Sequence, residues 1–447
     1  MTTVKQREGV SPALDEARVA ERPDAPDDQD GAVTGGFLRR MFDAMSIPNF
    51  RLLYFGNLMM FASMQMQMFV RGVLVYQLTG SFTMLGVMSL ANAIPSLLFA
   101  PVAGLIVDSV PRKTIIQSAQ MFNAVNAGVL AVLAAAGMLS VEHLIITAVL
   151  QGVVNSTMLP ARQSIISDLV GPRRLMNAVA MSVSGQNLMN LVGPGLGAAA
   201  LAFLNPAGAF WVMAGLYMLA VTFTMRLPKR PLFSVAGRDE PGGVARRRPA
   251  GFGAIFDGIR YVAQERTIRT LIAVNFLIII ASMPYAMMLP GFVQEVLHRG
   301  PAEQGVLLMI SGVGAIAGSL LIASMSSRNR GRAMIVVGIA LGLSLLAFSI
   351  STNYFVTMPI MLFLGIASAA RQSLGQVLIQ SYAASEYRGR VMSVWFMQFS
   401  VMAFGTFGLG LLAEWFGPQR AIGGMAVMLV AMMILVTLFV PRMRRMQ

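Results

Sequence analysis

Long apolar runs alternate with short polar connections along the chain, and this pattern constrains the fold more than any other feature. A helix needs about 20 apolar residues to cross the hydrocarbon core of a bilayer. Runs long enough to do so occur twelve times between residues 49 and 440. They predict membrane spans 1 to 12, at residues 49–77, 82–107, 114–138, 141–167, 175–204, 208–226, 268–296, 303–326, 333–351, 354–383, 388–415 and 418–440. The predicted fold class is therefore an all-α polytopic membrane protein.

The composition excludes several other classes of protein. Of the 447 residues, 56% are hydrophobic and 12% are charged, whereas a soluble domain carries about 25% charged residues. The net charge of +14 does not indicate a nucleic-acid partner, because the basic residues fall in short clusters between apolar runs. Cysteine is absent and there are two histidines. We therefore expect no disulfide, no metal site, no cofactor and no enzymatic activity.

The basic residues gather on one side of the predicted membrane. Every second connection is rich in Lys and Arg, and the others contain almost none. We call the side with these residues the basic end and the opposite side the distal end. By the positive-inside rule the basic end and both termini are cytoplasmic, which predicts a multi-pass protein of the bacterial inner membrane. The basic clusters are Arg112–Lys113, Arg173–Arg174, residues 227–267, Arg328/Arg330/Arg332, Arg388/Arg390 and Arg442/Arg444/Arg445.

The chain divides into two related halves. The sequence Ala161–Ser164 in span 4 recurs as Ala370–Ser373 in span 10, at a similar place in each half. Such parallel repeats place a substrate between the halves, near the bilayer midplane. The predicted regions are a disordered cytoplasmic tail (1–46), a first six-helix bundle (47–226), a linker with an amphipathic helix (227–267), a second six-helix bundle (268–440) and a basic tail (441–447).

Two motifs carry a family resemblance. The connection between spans 2 and 3 has Gly104, then Asp108, then the basic pair Arg112 and Lys113, and it resembles the signature loop of the major facilitator superfamily. The resemblance implies that this loop acts as a cytoplasmic gate latch. Span 5 resembles the glycine–proline motif of antiporters in that superfamily, although a generic bend or close helix contact also explains it. The residues of that motif are Gly185, Gly193, Pro194 and Gly197.

The order of segments over residues 47–440 is similar to the subgroup that contains the enterobactin exporter and related drug and secretion carriers. The resemblance implies twelve helices in two six-helix bundles and proton-driven export of a small molecule, such as a siderophore, a drug or a lipophilic metabolite. A monomer in the lipid bilayer is expected. The pair Gln151–Gly152 matches the end of a further superfamily motif, with Ala148 in place of the arginine that is tied to proton coupling.

Polar residues within the spans are candidates for the cavity, because burying them in a membrane is costly. For any single amide the alternative is a hydrogen bond between helices. Arg71 either attracts an anionic substrate or closes the outer gate, or it extends to the headgroups. The candidates are Asn57, Gln65, Arg71, Gln151, Asn155, Arg162, Gln186, Asn190, Asn275, Tyr285, Arg371, Gln376 and Gln398.

Acidic residues are scarce in the spans, and Asp108 and Glu295 are the predicted proton-coupling residues. The amide-rich interior favours a weakly polar or anionic substrate over an organic cation. Efflux by proton antiport is the favoured hypothesis. An importer or uniporter is the alternative on the same fold, since Ala148 replaces the coupling arginine. A non-transporting secretion or assembly factor is the alternative of another class.

Overall fold

The computed structural model describes residues 43–228, 260–325, 330–384 and 387–440, and these form long helices joined by short turns. The predicted tails and most of the linker with its amphipathic helix lie outside these residues. The helices are Pro48–Thr79 (span 1), Phe82–Ser109 (span 2), Arg112–Ala135 (span 3), Val141–Leu169 (span 4), Pro172–Met225 (spans 5 and 6), Arg266–Ser282 and Tyr285–Glu295 (span 7), Pro301–Ser324 (span 8), Arg330–Ile350 (span 9), Tyr354–Tyr382 (span 10), Arg388–Phe396 and Gln398–Phe416 (span 11), and Pro418–Phe439 (span 12).

The structure is consistent with the predicted twelve spans, although 11 helices among the described residues are long and apolar enough to cross a membrane. The difference arises because spans 5 and 6 are continuous except at Asn205, which has φ 58° and ψ 179°. Asparagine enters the left-handed region more readily than most residues. The Asn205 side chain accepts a hydrogen bond from the Gly208 amide at 3.1 Å, which stabilises this break between the two spans.

Turn chemistry sets the other boundaries. Span 1 ends at Gly80, which has φ 62° and lies in the left-handed region that favours glycine. Ser81 then caps span 2 by accepting a hydrogen bond from the Met84 amide at 3.3 Å. Span 7 is interrupted between Ser282 and Tyr285, at Pro284. Proline has no backbone donor, so the regular hydrogen-bond ladder ends there.

A short segment before span 1 is also ordered. Asp43–Ser46 form a 3₁₀ helix, although the sequence pattern assigns them to the disordered tail. The Ala44 amide donates to the Asn177 side chain at 2.9 Å, and Ala44 is fully buried. The chain is therefore held at the start of span 5 before it enters span 1.

Spans of the first half contact spans of the second half closely at the distal end. A Cβ added to Gly86 of span 2 would lie 2.6 Å from the Cα of Phe407 in span 11. A Cβ on Gly305 of span 8 would lie 2.4 Å from the Cβ of Ala198 in span 5. Only glycine permits such close approach of two helix backbones.

The same two helices make no such contact between the halves at their basic-end glycines. A Cβ added to Gly104 in span 2 would meet nothing within 4 Å, and a Cβ on Gly318 in span 8 would meet Ile366 of span 10, in its own half, at 2.2 Å. Leu105 in span 2 and Leu320 in span 8 are 57% and 64% exposed. Spans 2 and 8 thus contact the other half at the distal end and have exposed leucines at the basic end.

The orientation of the chain can be tested with single cysteines, because the natural sequence contains none. Met138 in the connection between spans 3 and 4 and Met176 near the basic start of span 5 are 65% and 82% exposed. We expect Met138→Cys to react with a membrane-impermeant maleimide in intact cells, and Met176→Cys to react only after permeabilisation. The reverse labelling pattern would contradict a cytoplasmic basic end.

Candidate substrate and gating site

A buried hydrogen-bond network surrounds Arg71 in the first half. Its Nη1 donates to Gln151 Oε1 at 2.6 Å, and its Nη2 donates to Thr147 Oγ1 at 3.3 Å. Gln151 in turn donates to Gln67 Oε1 at 2.7 Å, and this oxygen also accepts from the Tyr217 hydroxyl at 3.4 Å. Arg71 is 4% exposed. The guanidinium therefore lies inside the first half, paired with span 4, and does not extend to the headgroups.

The Arg71 network also bears on the arginine that span 4 lacks at Ala148. Thr147 immediately precedes Ala148, and Gln151 lies one turn further along the same helix. Both residues accept hydrogen bonds from Arg71. A guanidinium is therefore present beside this segment of span 4, and span 1 supplies it.

A second buried network surrounds Arg371 in span 10. Its Nη1 donates to Asn275 Oδ1 of span 7 at 2.7 Å. Asn275 donates in turn to Gln398 Oε1 of span 11 at 3.5 Å. All three side chains are buried. Three predicted cavity residues on three different spans are thus brought together by the structure.

Arg162, which corresponds to Arg371 in the internal repeat, has a different environment. Its guanidinium carbon lies 4.0 Å from the centroid of the Phe61 ring in span 1. Such cation–π contacts partly offset the cost of burying a guanidinium. Asn57 lies one turn before Phe61 in span 1, and its buried Oδ1 has no hydrogen-bond partner among the described residues.

Asn155 is in span 4, like Arg162, and accepts a hydrogen bond from Asn123 of span 3 at 3.5 Å.

The glycine–proline motif of span 5 packs against span 1. A Cβ added to Gly193 would lie 2.4 Å from the Cβ of Gln65, and a Cβ on Gly185 or Gly197 would lie 3.0 Å from a span 1 side chain. The helix continues through Pro194. Within Pro172–Met225 the non-helical dihedral angles occur at Asn205 and not at this proline. The motif therefore provides a flat surface for close contact with span 1.

A further glycine in the motif faces the other half. A Cβ on Gly195 would lie 2.4 Å from Met309 Sδ of span 8. Successive glycines of span 5 therefore allow it to lie between span 1 of its own half and span 8 of the second half. This two-sided packing explains why the motif is so rich in glycine.

The predicted gate loop is anchored within the first half. Arg112 forms an ion pair with Asp168 at the end of span 4 and donates to the Ser164 carbonyl at 3.2 Å. Lys113 donates to the Met225 carbonyl at 2.8 Å, at the end of span 6. The side chain of Asp108 lies outside the described residues. Spans 3, 4 and 6 are thus joined at the basic end, and sequence reasoning had not identified Asp168 as the partner of Arg112.

Two carboxylates of the second half accept hydrogen bonds from the first half at the distal end. Glu295 accepts from the Tyr76 hydroxyl. Glu414 accepts from the Ser81 hydroxyl at 3.0 Å and from the Thr83 amide at 3.3 Å. The helix N-terminus of span 2 favours a negative charge at this place. Glu414 was missed as a site residue because its position near a span end gives no signal in sequence.

The remaining candidates lie apart from these networks. Tyr285 is buried, with its ring centroid 5.7 Å from that of Phe348. Gln186 is half-buried, whereas Asn190 and Gln376 are exposed. The structure gives no hydrogen bond among these four side chains within the described residues.

The role of the span 5 glycines can be tested by adding one methyl group. We expect Gly193→Ala to lower the free energy of unfolding by about 1–3 kcal/mol, because the new Cβ overlaps Gln65. Gly215→Ala in span 6 is the matched control, since a Cβ there meets nothing within 4 Å. Thermal unfolding of both variants in detergent measures the difference. Equal melting temperatures would show that this contact between spans 1 and 5 is loose.

Comparison with known proteins shows which family the sequence matches. The family model described as transmembrane secretion effector matches residues 40–447. The multidrug efflux pump Tap of Mycolicibacterium fortuitum is 25% identical over 387 residues, which are 83% of this chain and 90% of that protein. The MFS-type transporter YfiS of Bacillus subtilis strain 168 is 24% identical over 365 residues, 77% of this chain and 82% of that protein.

A crystal structure of a mutant of the peptide transporter POT has a similar fold. Its TM-score is 0.70 at 13% sequence identity, and the match covers 91% of this chain and 99% of that one. At this level of identity the similarity establishes the fold alone.

Proposed function

Because the chain belongs to the transmembrane secretion effector family of the major facilitator superfamily, we propose that it exports a small molecule across the bacterial plasma membrane by alternating access. Members of this superfamily are membrane transporters and not enzymes, and this chain is a transporter of a small-molecule substrate in a lipid bilayer. The direction of transport, its coupling to protons and the class of compound are our proposals.

The observation that carries the proposal is the unequal packing of the halves at the two ends. Glycine contacts join spans 2 and 11 and spans 5 and 8 at the distal end, while Leu105 of span 2 and Leu320 of span 8 are exposed at the basic end. If the basic end is cytoplasmic, as its arginines predict, this conformation admits a compound from the cytoplasm. That is the loading state of an exporter.

One further observation supports export over import. The curated relative Tap is named a multidrug efflux pump. A drug or another lipophilic compound is the substrate class that this similarity supports.

Proton coupling is proposed to use Asp108 and Glu295. Asp108 lies at the basic end of span 2, and Glu295 lies at the distal end of span 7, where it accepts a hydrogen bond from Tyr76. The positions of the two residues in their helices support proton exchange on opposite sides of the membrane. Arg71 supplies a buried guanidinium beside Ala148, which supports coupling despite the missing arginine of span 4.

Export can be tested by measuring the retention of a fluorescent drug panel in cells with and without the protein. We expect cells with the protein to retain severalfold less of at least one compound, and this difference to vanish when the proton gradient is collapsed. Gly305→Ala should abolish the difference, because its Cβ would lie 2.4 Å from that of Ala198 and prevent distal closure.

Gly408→Ala in span 11 is the control variant, since its Cβ meets nothing within 4 Å. It should export like the natural protein. Equal retention of every compound by all the strains would refute export.

Coupling can be separated from transport in proteoliposomes. We expect Asp108→Asn and Glu295→Gln to lose uptake driven by a pH gradient by about tenfold or more, because a neutral amide cannot carry the proton. Exchange of labelled for unlabelled substrate at equal pH should persist, since it needs only the movement of the halves. Gradient-driven transport at the natural rate in both variants would show that neither residue carries the proton. A lack of gradient-driven transport in the natural protein would favour the uniporter alternative.

A further inference from the structure

Three arginine side chains are buried at three depths in the membrane-spanning part of the molecule. Arg162 lies about 10 Å of helix from the basic end of span 4, and Arg371 lies about 16 Å from the basic end of span 10. Arg71 lies about 12 Å from the distal end of span 1. Their exposed fractions are 9%, 3% and 4%. The three side chains together place positive charge along much of the membrane thickness.

Each of these guanidinium groups has only uncharged neighbours among its described contacts. Arg71 donates to an amide and a hydroxyl, Arg371 donates to an amide, and Arg162 lies on an aromatic ring. The Nε of each arginine is buried and has no hydrogen-bond partner among the residues that the structure describes. Within the described residues the structure shows one ion pair, between Arg112 and Asp168 at the basic end.

Burying these three charges costs free energy unless an anion binds near them. An arginine remains protonated in proteins, so burial does not neutralise it. A buried charge without a counter-charge destabilises a protein strongly. An organic anion that enters this region gains the attraction of the guanidinium groups and can satisfy the free Nε donors. An organic cation is repelled by the same charges.

The internal repeat places one of these charges in each half. Arg162 and Arg371 occupy the same position in the repeated sequence Ala-Arg-Gln-Ser. In a transporter of two parallel halves, a substrate bound near the midplane contacts both halves. Each half therefore has a guanidinium group at an equivalent position, and a planar guanidinium is well suited to bind a carboxylate or a sulfonate.

We propose that the exported compound is an organic anion, that Arg162 and Arg371 bind it from the two halves, and that Arg71 binds it closer to the distal end. This inference rests on the proposed export function and specifies its substrate class. The amide and hydroxyl partners of Arg71 and Arg371 hold these side chains in place while no anion is bound.

The test compares two fluorescent probes of similar size and opposite charge, carboxyfluorescein (anionic) and rhodamine 123 (cationic), in proteoliposomes of the purified full chain. We expect flux of the anionic probe to exceed that of the cationic probe by about tenfold or more, and Arg162→Gln and Arg371→Gln each to reduce it about tenfold. Arg162→Lys and Arg371→Lys should retain part of the flux, because they keep the charge and lose only the fork geometry.

Arg51→Gln is the control, since Arg51 is an exposed residue at the basic end of span 1. It should not alter the flux of either probe. The melting temperature of the natural protein should rise with carboxyfluorescein and not with rhodamine 123, and the rise should vanish in the two Gln variants. This measurement of binding separates the anion proposal from the export proposal.

The outcomes are distinguishable. Flux of the cationic probe that does not depend on Arg162 or Arg371 would overturn the anion assignment and leave export intact. The absence of any stabilisation by carboxyfluorescein would also overturn the anion assignment. Stabilisation by carboxyfluorescein without transport of either probe would support the anion site and count against export.

Discussion

Close contact between helix backbones at glycine residues is the constraint on which this conformation depends. Without hydrophobic driving force between helices in lipid, association relies on tight packing, and glycine lets two backbones approach most closely. Gly86 and Gly305 provide that contact between the halves at the distal end, and Gly193 provides it between spans 1 and 5 within the first half. A methyl group at any of these positions would overlap an atom of the neighbouring helix. The distal seal is therefore steric, and the carboxylates of Glu295 and Glu414 add hydrogen bonds to it.

Much of the fold could be predicted from the sequence, because apolar length and turn chemistry act locally. The predicted bounds of the spans agree with the helices to within a few residues, and the break between spans 5 and 6 at Asn205 falls in the predicted connection. The positive φ of Asn205 could not be predicted, since it depends on the local packing of that turn. The sequence pattern also assigned Asp43–Ser46 to a disordered tail, and it could not reveal the contact of Ala44 with Asn177.

The candidate site could be predicted only as a set of residue types. Polar residues in apolar helices indicated Arg71, Gln151, Asn275, Arg371 and Gln398, but not which of them contact one another. Pairing depends on the rotation of each helix about its axis, which packing decides. For Arg71 the sequence left an anionic substrate, an outer gate and the headgroups open, and the structure places it against Gln151 and Thr147 of span 4. Asp168 and Glu414 were not predicted as site residues, because the sequence does not show that each meets a donor on another span.

The uncharged partners of the buried arginines have a consequence for transport. An arginine paired with a carboxylate must lose a strong charge-assisted interaction before it can bind another anion, and the released carboxylate would be left buried and unpaired. Arg71 and Arg371 are held by amide and hydroxyl oxygens, and these neutral groups lose less when an anion replaces them. Binding can therefore be strong enough to draw an anion into the membrane interior and still be reversible. Reversible binding at several depths is what a carrier requires, because its substrate has to leave each binding position once the halves have moved.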